Sequence, residues 1–239
     1  MSFTLPATHL LRQYLRFAAV VVFLLLMIRA GYALWRLPAI EAGGDPLELF
    51  LTGLRFDLSL VGALCLVPVS VGPVLAMFDA TRVVAKWFVL LWLFAALVLV
   101  LVTELLTPQL LAGEGVRPDA STFAELPALT ASVGGLVADH PVPVTIGVLL
   151  AILILAAYVT RVESARFLRY PVSRGPAIAL ALVGGLVCLI AARSAIDPTA
   201  PALSVADARL GGEPIVDQIA MNSAWTTLRS LGASVLPGS

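Results

Sequence analysis

Charge is what this sequence has least of. Only 13% of its 239 residues are Asp, Glu, Lys or Arg, about half the share usual in a soluble domain. The 15 basic and 15 acidic side chains cancel, so no net field draws in nucleic acid or an acidic partner. Cysteine is nearly absent too. Cys65 and Cys188 both fall in apolar runs, which excludes a disulfide framework and leaves two thiols to pack as small apolar groups. The two histidines, His9 and His140, are too few and too far apart for a zinc spacing. No phosphate-cradling glycine loop and no nucleophile elbow occurs. These residues therefore offer neither a metal site nor a catalytic group.

What is abundant is apolar sequence. The hydrophobic share is 60% and the mean hydropathy is +1.00. It comes in five blocks: Phe17 to Trp35, Leu58 to Met77, Trp87 to Val102, Val142 to Tyr158 and Ala177 to Ala192. Blocks of this length read as membrane spans, and a span must close its own backbone hydrogen bonds, so each is expected to be a helix. Pro68 and Pro73 lie within the second. The first block follows Arg12 and Arg16 as a signal peptide would, but Ala30-Gly31-Tyr32-Ala33 is a poor cleavage site and four more blocks follow, which favours a retained helix.

The charges orient these spans. With the N-terminus inside, the short inner segments carry Arg12, Arg16, Arg82, Lys86, Arg161, Arg166, Arg169 and Arg174 against only Asp79 and Glu163. That density of basic residues is the positive-inside pattern, and an odd number of spans leaves the tail outside. The expected fold is all-α: a polytopic membrane protein with five transmembrane helices in residues 1–193, plus amphipathic and juxtamembrane helices on the outer face. Thr103 to Pro141 is too long for a simple connection. Within it Ser121 or Thr122 caps a predicted helix through Ala131, with Glu125 at capping-box spacing. In the tail, residues 194–239, a turn-rich start precedes a helical stretch in which Ile215, Ile219, Asn222 and Thr226 share a stripe.

The stretch "GLRFDLS", Gly53 to Ser59, brings two opposite charges to the mouth of the second span. On a helix Arg55 and Asp57 point about 200° apart and cannot pair with each other. Arg55 continues a polar stripe with Glu48, Thr52 and Ser59, whereas Asp57 faces the other way with Val61 and Leu64. Arg29 late in the first span, Glu104 after the third and Arg193 after the fifth reach the same side. Two readings stand. These groups form interhelical ion pairs or snorkel outward, or they converge on a pocket in which guanidinium groups clamp an anionic lipid headgroup.

"GLRFDLS", the Thr103-Glu104 pair, "RPD" at Arg117 to Asp119 and the tail "MNSAWTTLRSL", set on a five-span plan, resemble the membrane half of the lipoteichoic-acid-synthase-like phosphoglycerol transferases of the alkaline phosphatase/sulfatase superfamily. The resemblance covers about residues 12 to 232. Asp119 departs from it, since an Asn is the expected residue after Arg-Pro. It implies an anchor in the bacterial cytoplasmic (inner) membrane, N-terminus cytoplasmic and C-terminus periplasmic, that presents phosphatidylglycerol to a catalytic domain following the spans. That domain would hold a divalent metal such as Mn or Mg. The 239 residues stop where it would begin, so the expectation is a membrane module without the catalytic domain. Arg55, Asp57, Glu104 and Arg117 match the motif positions, and Arg29, Arg193 and Asn222 join them on topology as headgroup-binding residues. The alternatives are the membrane part of a phosphoethanolamine transferase and a non-enzymatic scaffold for partner proteins. A transporter is disfavoured, because no second broken span and no internal repeat accompanies Pro68 and Pro73.

Overall fold

The computed structural model describes residues 7–43, 45–124, 172–197 and 199–235. Among them every regular element is helical. In chain order these are α1 (Thr8–Trp35), α2 (Leu37–Gly43), α3 (Pro46–Leu75), α4 (Arg82–Gly113), α5 (Ala120–Ala124), α6 (Arg174–Ala179), a π-helical turn (Leu180–Gly184), α7 (Gly185–Arg193), a 3₁₀ turn (Val205–Ala208), α8 (Pro214–Ala220) and α9 (Ser223–Val235). Four helical stretches are long and apolar enough to cross a membrane: Thr8–Trp35, Pro46–Leu75, Arg82–Gly113 and Arg174–Arg193. They cover the first, second, third and fifth of the expected spans. The fourth, Val142 to Tyr158, and the predicted helix from Thr122 through Ala131 beyond Ala124 lie outside the described residues.

The chain divides into two compact units, one of Met1–Phe23, Leu58–Val98 and Ile154–Ala202 and the other of Leu24–Asp57, Leu99–Leu153 and Leu203–Ser239. In the first, Phe17, Leu60, Leu93 and Leu97 are buried. Gly62 permits the close approach of α3 to α7, since a Cβ there would lie 2.5 Å from the backbone nitrogen of Ala192. Ser59, on the same helix, donates to the Ala192 carbonyl at 2.6 Å. In the second unit Leu49, Phe56, Val100, Leu203, Val216 and Ile219 are buried, and the ring of Phe56 meets that of Trp225 edge-on at 4.8 Å.

Proline inside a span removes one backbone donor and orphans the carbonyl four residues before it. Of the three prolines inside these long helices, Pro68, Pro73 and Pro108, two are repaired by an aromatic side chain. Pro68 leaves the Leu64 carbonyl without its helical partner, and the indole Nε1 of Trp92 donates to it at 2.8 Å. Pro108 does the same to Glu104, whose carbonyl accepts from the Tyr32 hydroxyl at 3.1 Å. The start of α3 is set by its sequence: Pro46 occupies the first helical position, and the Asp45 carboxylate accepts the backbone N–H of Leu47 at 2.8 Å.

Two expectations are corrected. The helix of the third block does not stop at Val102 but runs on through Glu104 to Gly113. Its polar residues are absorbed by the helix, as Thr103 and Thr107 donate back to the carbonyls of Leu99 and Thr103 at 2.9 Å each. The tail is not one helical stripe either. Met221 is extended (φ −77°, ψ 174°) between α8 and α9. The Asn222 side chain accepts the Trp225 backbone N–H at 2.8 Å, which starts a new helix.

Candidate functional site

The second unit contains two buried ion pairs. Arg29 comes from α1 and Asp57 from α3, and their side chains are 2% and 0% exposed. The contact is bidentate, Nη1 to Oδ2 at 2.7 Å and Nη2 to Oδ1 at 2.8 Å, the geometry in which a guanidinium and a carboxylate bind most strongly. Gly53 lies one helical turn before Asp57, and its carbonyl accepts from Arg29 Nη2 at 3.1 Å. A Cβ at position 53 would sit 2.2 Å from Arg29 Nε, so the absence of a side chain there lets the guanidinium reach the carboxylate.

The second pair joins Glu104 on α4 to Arg117 in the segment between α4 and α5. Arg117 Nη1 donates to both carboxylate oxygens at 3.2 Å, and these side chains are also buried. The Arg117 guanidinium faces the Tyr32 ring at 5.5 Å.

Both pairs grip the same short elbow between α8 and α9. A helix leaves its last carbonyls without partners. Here Arg29 donates to those of Ile219 and Ala220 at 3.3 Å each, and Arg117 Nε donates to that of Gln218. The carboxylates take the other side of the elbow. Asp57 Oδ1 accepts from the Asn222 amide at 3.0 Å, and Glu104 Oε1 accepts from the Ser223 backbone N–H at 2.7 Å. Ser223 Oγ accepts from Arg117 at 2.7 Å and shares a hydrogen bond with Thr107. Arginines therefore cap the end of one helix while carboxylates receive the donors at the start of the next.

Of the seven residues proposed from sequence, five meet in this arrangement: Arg29, Asp57, Glu104, Arg117 and Asn222. Arg55 stands apart. Its side chain is 47% exposed, and it reaches Asp207 in the 3₁₀ turn at 3.4 Å. Arg193 belongs to the first unit, where it donates to the Ala200 carbonyl at 2.9 Å. Sequence reasoning did not single out Ser223, Gly53, Tyr32 or Asp207. Ser223 and Gly53 sat inside quoted motifs, while the roles of Tyr32 and Asp207 depend on partners far along the chain.

Asp119, next to Arg117, caps α5. Its Oδ1 accepts from the hydroxyl and backbone N–H of Ser121 and from those of Thr122. The Ser121 hydroxyl is the main reason its carboxyl titrates below the usual carboxylate range. Among the described residues no three His, Cys, Asp or Glu side chains come together as metal ligands, and each buried carboxylate is engaged by a guanidinium.

No family model, no curated protein and no solved structure matches this chain.

Proposed function

We propose that this chain is the membrane module of a phospholipid-headgroup transferase of the phosphoglycerol-transferase kind. Its task is to hold the segment leading into an extracytoplasmic catalytic domain in one fixed geometry at the membrane surface. The observation that carries this reading is the double grip on the elbow. Four ionised side chains from α1, α3, α4 and the segment before α5 are buried together to hold residues 218–223. Burying charge is costly and adds little net stability over an apolar core. It does impose direction, since each donor and acceptor must find its partner.

In this reading Arg29, Asp57, Glu104, Arg117 and Asn222 position the tail, because their polar atoms are engaged by one another and by backbone. On the same reading the N-terminus is cytoplasmic and α9 lies on the outer face of the inner membrane, which the density of basic residues in the segments assigned to the inside supports. The ligand is an anionic phospholipid, with phosphatidylglycerol the first candidate.

The test is genetic and chemical. Deleting the gene in its host and tracing radiolabelled phosphatidylglycerol is expected to abolish one glycerophosphate-modified envelope product. Loss of a product labelled from phosphatidylethanolamine instead would assign the phosphoethanolamine branch. Unchanged transfer from both lipids would remove the transferase reading.

A further inference from the structure

The chain's two thiols, Cys65 on α3 and Cys188 on α7, take no part in the elbow. Both are free and both belong to the first unit. The contacts between their helices fix which positions face each other. At one end Ser59 donates to the Ala192 carbonyl. One turn on, a Cβ at Gly62 would lie 2.7 Å from the Cys188 carbonyl oxygen. Further along, a Cβ at Gly184 would lie 2.6 Å from the Val69 side chain, and one at Gly185 would lie 2.6 Å from Ser70 Oγ. Rising numbers on α3 meet falling numbers on the facing helix, so the two run antiparallel. Cys65 stands one turn beyond Gly62 and one turn before Val69. Cys188 stands one turn from Ala192 and one from Gly184. This register sets the two cysteines at the same level, with Cys188 in the face that touches α3. Across the seam Cys188 acts electrostatically on Cys65.

The backbones are also close enough to be joined. Packed helix axes ordinarily run about 8–10 Å apart, and a disulfide needs Cα atoms about 4.4–6.8 Å apart. A Cβ at Gly62 would fall 2.5 Å from the Ala192 backbone nitrogen, so here the two backbones are in contact, which supplies the shorter spacing. The thiols differ in access. Cys65 is buried, whereas Cys188 is half-buried beside the exposed Leu186, Val187 and Leu189, on a helix long and apolar enough to cross a membrane. A reagent that reaches Cys188 from that side must dissolve in lipid.

We propose that Cys65 and Cys188 are a redox-active dithiol whose oxidation by a lipid-soluble quinone joins α3 to α7. Two S–H bonds break and one S–S bond forms. The two hydrogens, with two electrons, pass to the quinone, which leaves as hydroquinone. Burial shields the pair from oxidants confined to water. In the reduced chain the Ser59 hydrogen bond and the close glycine contacts hold this seam. The disulfide makes it covalent and fixes the helix that leads into the tail. A single bond between two helices is not the framework of a small secreted domain, which the composition excludes. The inference stands apart from the transferase reading, since it involves neither the elbow nor a headgroup.

The experiment purifies the full chain reduced in detergent, removes the reductant and adds decylubiquinone. Maleimide labelling is expected to show both thiols lost in a monomeric chain, with one quinone reduced per chain by absorbance, and dithiothreitol should restore both thiols. Cys65→Ser and Cys188→Ser should each keep the remaining thiol and reduce no quinone. Gly62→Ala should slow closure about tenfold, because a disulfide tolerates only a narrow range of Cα separation. Should that variant fail to fold, Cys188→Ser combined with Leu186→Cys moves the thiol to the far side of α7 and should form no bond within the chain. Closure of that shifted pair at the native rate would overturn the register. Two thiols that survive both the quinone and copper phenanthroline would overturn the pair, as would disulfide-linked dimers in place of the internal bond. Closure by copper phenanthroline but not by the quinone would uphold the pair and overturn the oxidant. Oxidation by water-soluble diamide as fast as by the quinone would overturn the lipid-side route.

Discussion

The Arg29 guanidinium binds the Asp57 carboxylate through two contacts of 2.7 and 2.8 Å, with both side chains out of reach of solvent. The pair joins α1 to α3, and each member also holds a part of the tail elbow. Its contribution is therefore one of direction as much as of stability.

Removing one partner leaves the other charge buried without compensation. Asp57→Ala or Arg29→Ala alone is expected to cost about 3–5 kcal/mol, whereas Arg29→Met combined with Asp57→Leu should recover most of that loss. Reversible unfolding in mixed micelles measures all three. The double variant should fold and still lose the fixed placement of α9, read as a broadened distance distribution between spin labels at Leu47 and Leu231. A narrow distribution in the double variant would show that the pair does not set the direction of the tail.

Gly53 and Gly31 give opposite expectations for the same substitution. A Cβ at position 53 would meet Arg29 Nε at 2.2 Å, whereas nothing lies within 4 Å of one at position 31. Gly53→Ala should destabilise by about 1–3 kcal/mol through overpacking. Gly31→Ala, in an open helical position, should stabilise by up to about 1 kcal/mol. Thermal unfolding of the two variants side by side checks the sign.

Tyr32 and Pro108 are coupled through the Glu104 carbonyl. Tyr32→Phe should cost about 0.5–1.5 kcal/mol in the native background, the usual worth of one buried hydrogen bond. In a Pro108→Ala background the helix supplies its own donor, and the cost of Tyr32→Phe should shrink. A double-mutant cycle measures the coupling. Additive effects would mean that the hydroxyl does not replace the missing N–H.

Asp207 ties stability to acid. Despite the upward push of burial, its carboxyl titrates below the usual range because of Ser204, Arg55 and Arg229, so its folded value lies below the unfolded value of about 3.9. The stability it supplies is present above the unfolded value and is lost as pH falls through the folded one. Asp119 is lowered in the same direction. Asp207→Asn should therefore lower stability at neutral pH, converge with the native chain once the carboxyl is protonated, and so flatten part of the acid limb of the stability profile below about pH 5. An unchanged acid limb would separate Asp207 from the acid response.

Much of the fold was legible from composition and blocks. Four of the apolar runs lie within helices long enough to span a membrane, because a chain in lipid has no alternative to closing its own backbone hydrogen bonds. Helix ends were less legible. The helix of the third block ran on past it through Thr103 and Glu104, since polar residues that bond back to the helix or pair across it do not stop it. The elbow at Asn222 carried a local signal, an amide able to cap a new helix. Its stripe of apolar neighbours concealed that signal.

The sequence by itself determined the membrane class, the all-helical chemistry and the short list of charged residues that had to find partners near the span ends. Only the tertiary structure decided which partners they found: Arg29 with Asp57, Arg117 with Glu104, and Arg55 apart from both with Asp207. The physical reason is that burial demands pairing but does not name the mate. Arg29 and Asp57 are 28 positions apart and bind an elbow some 190 positions from Arg29, a match set by how helices pack rather than by any local pattern in the chain.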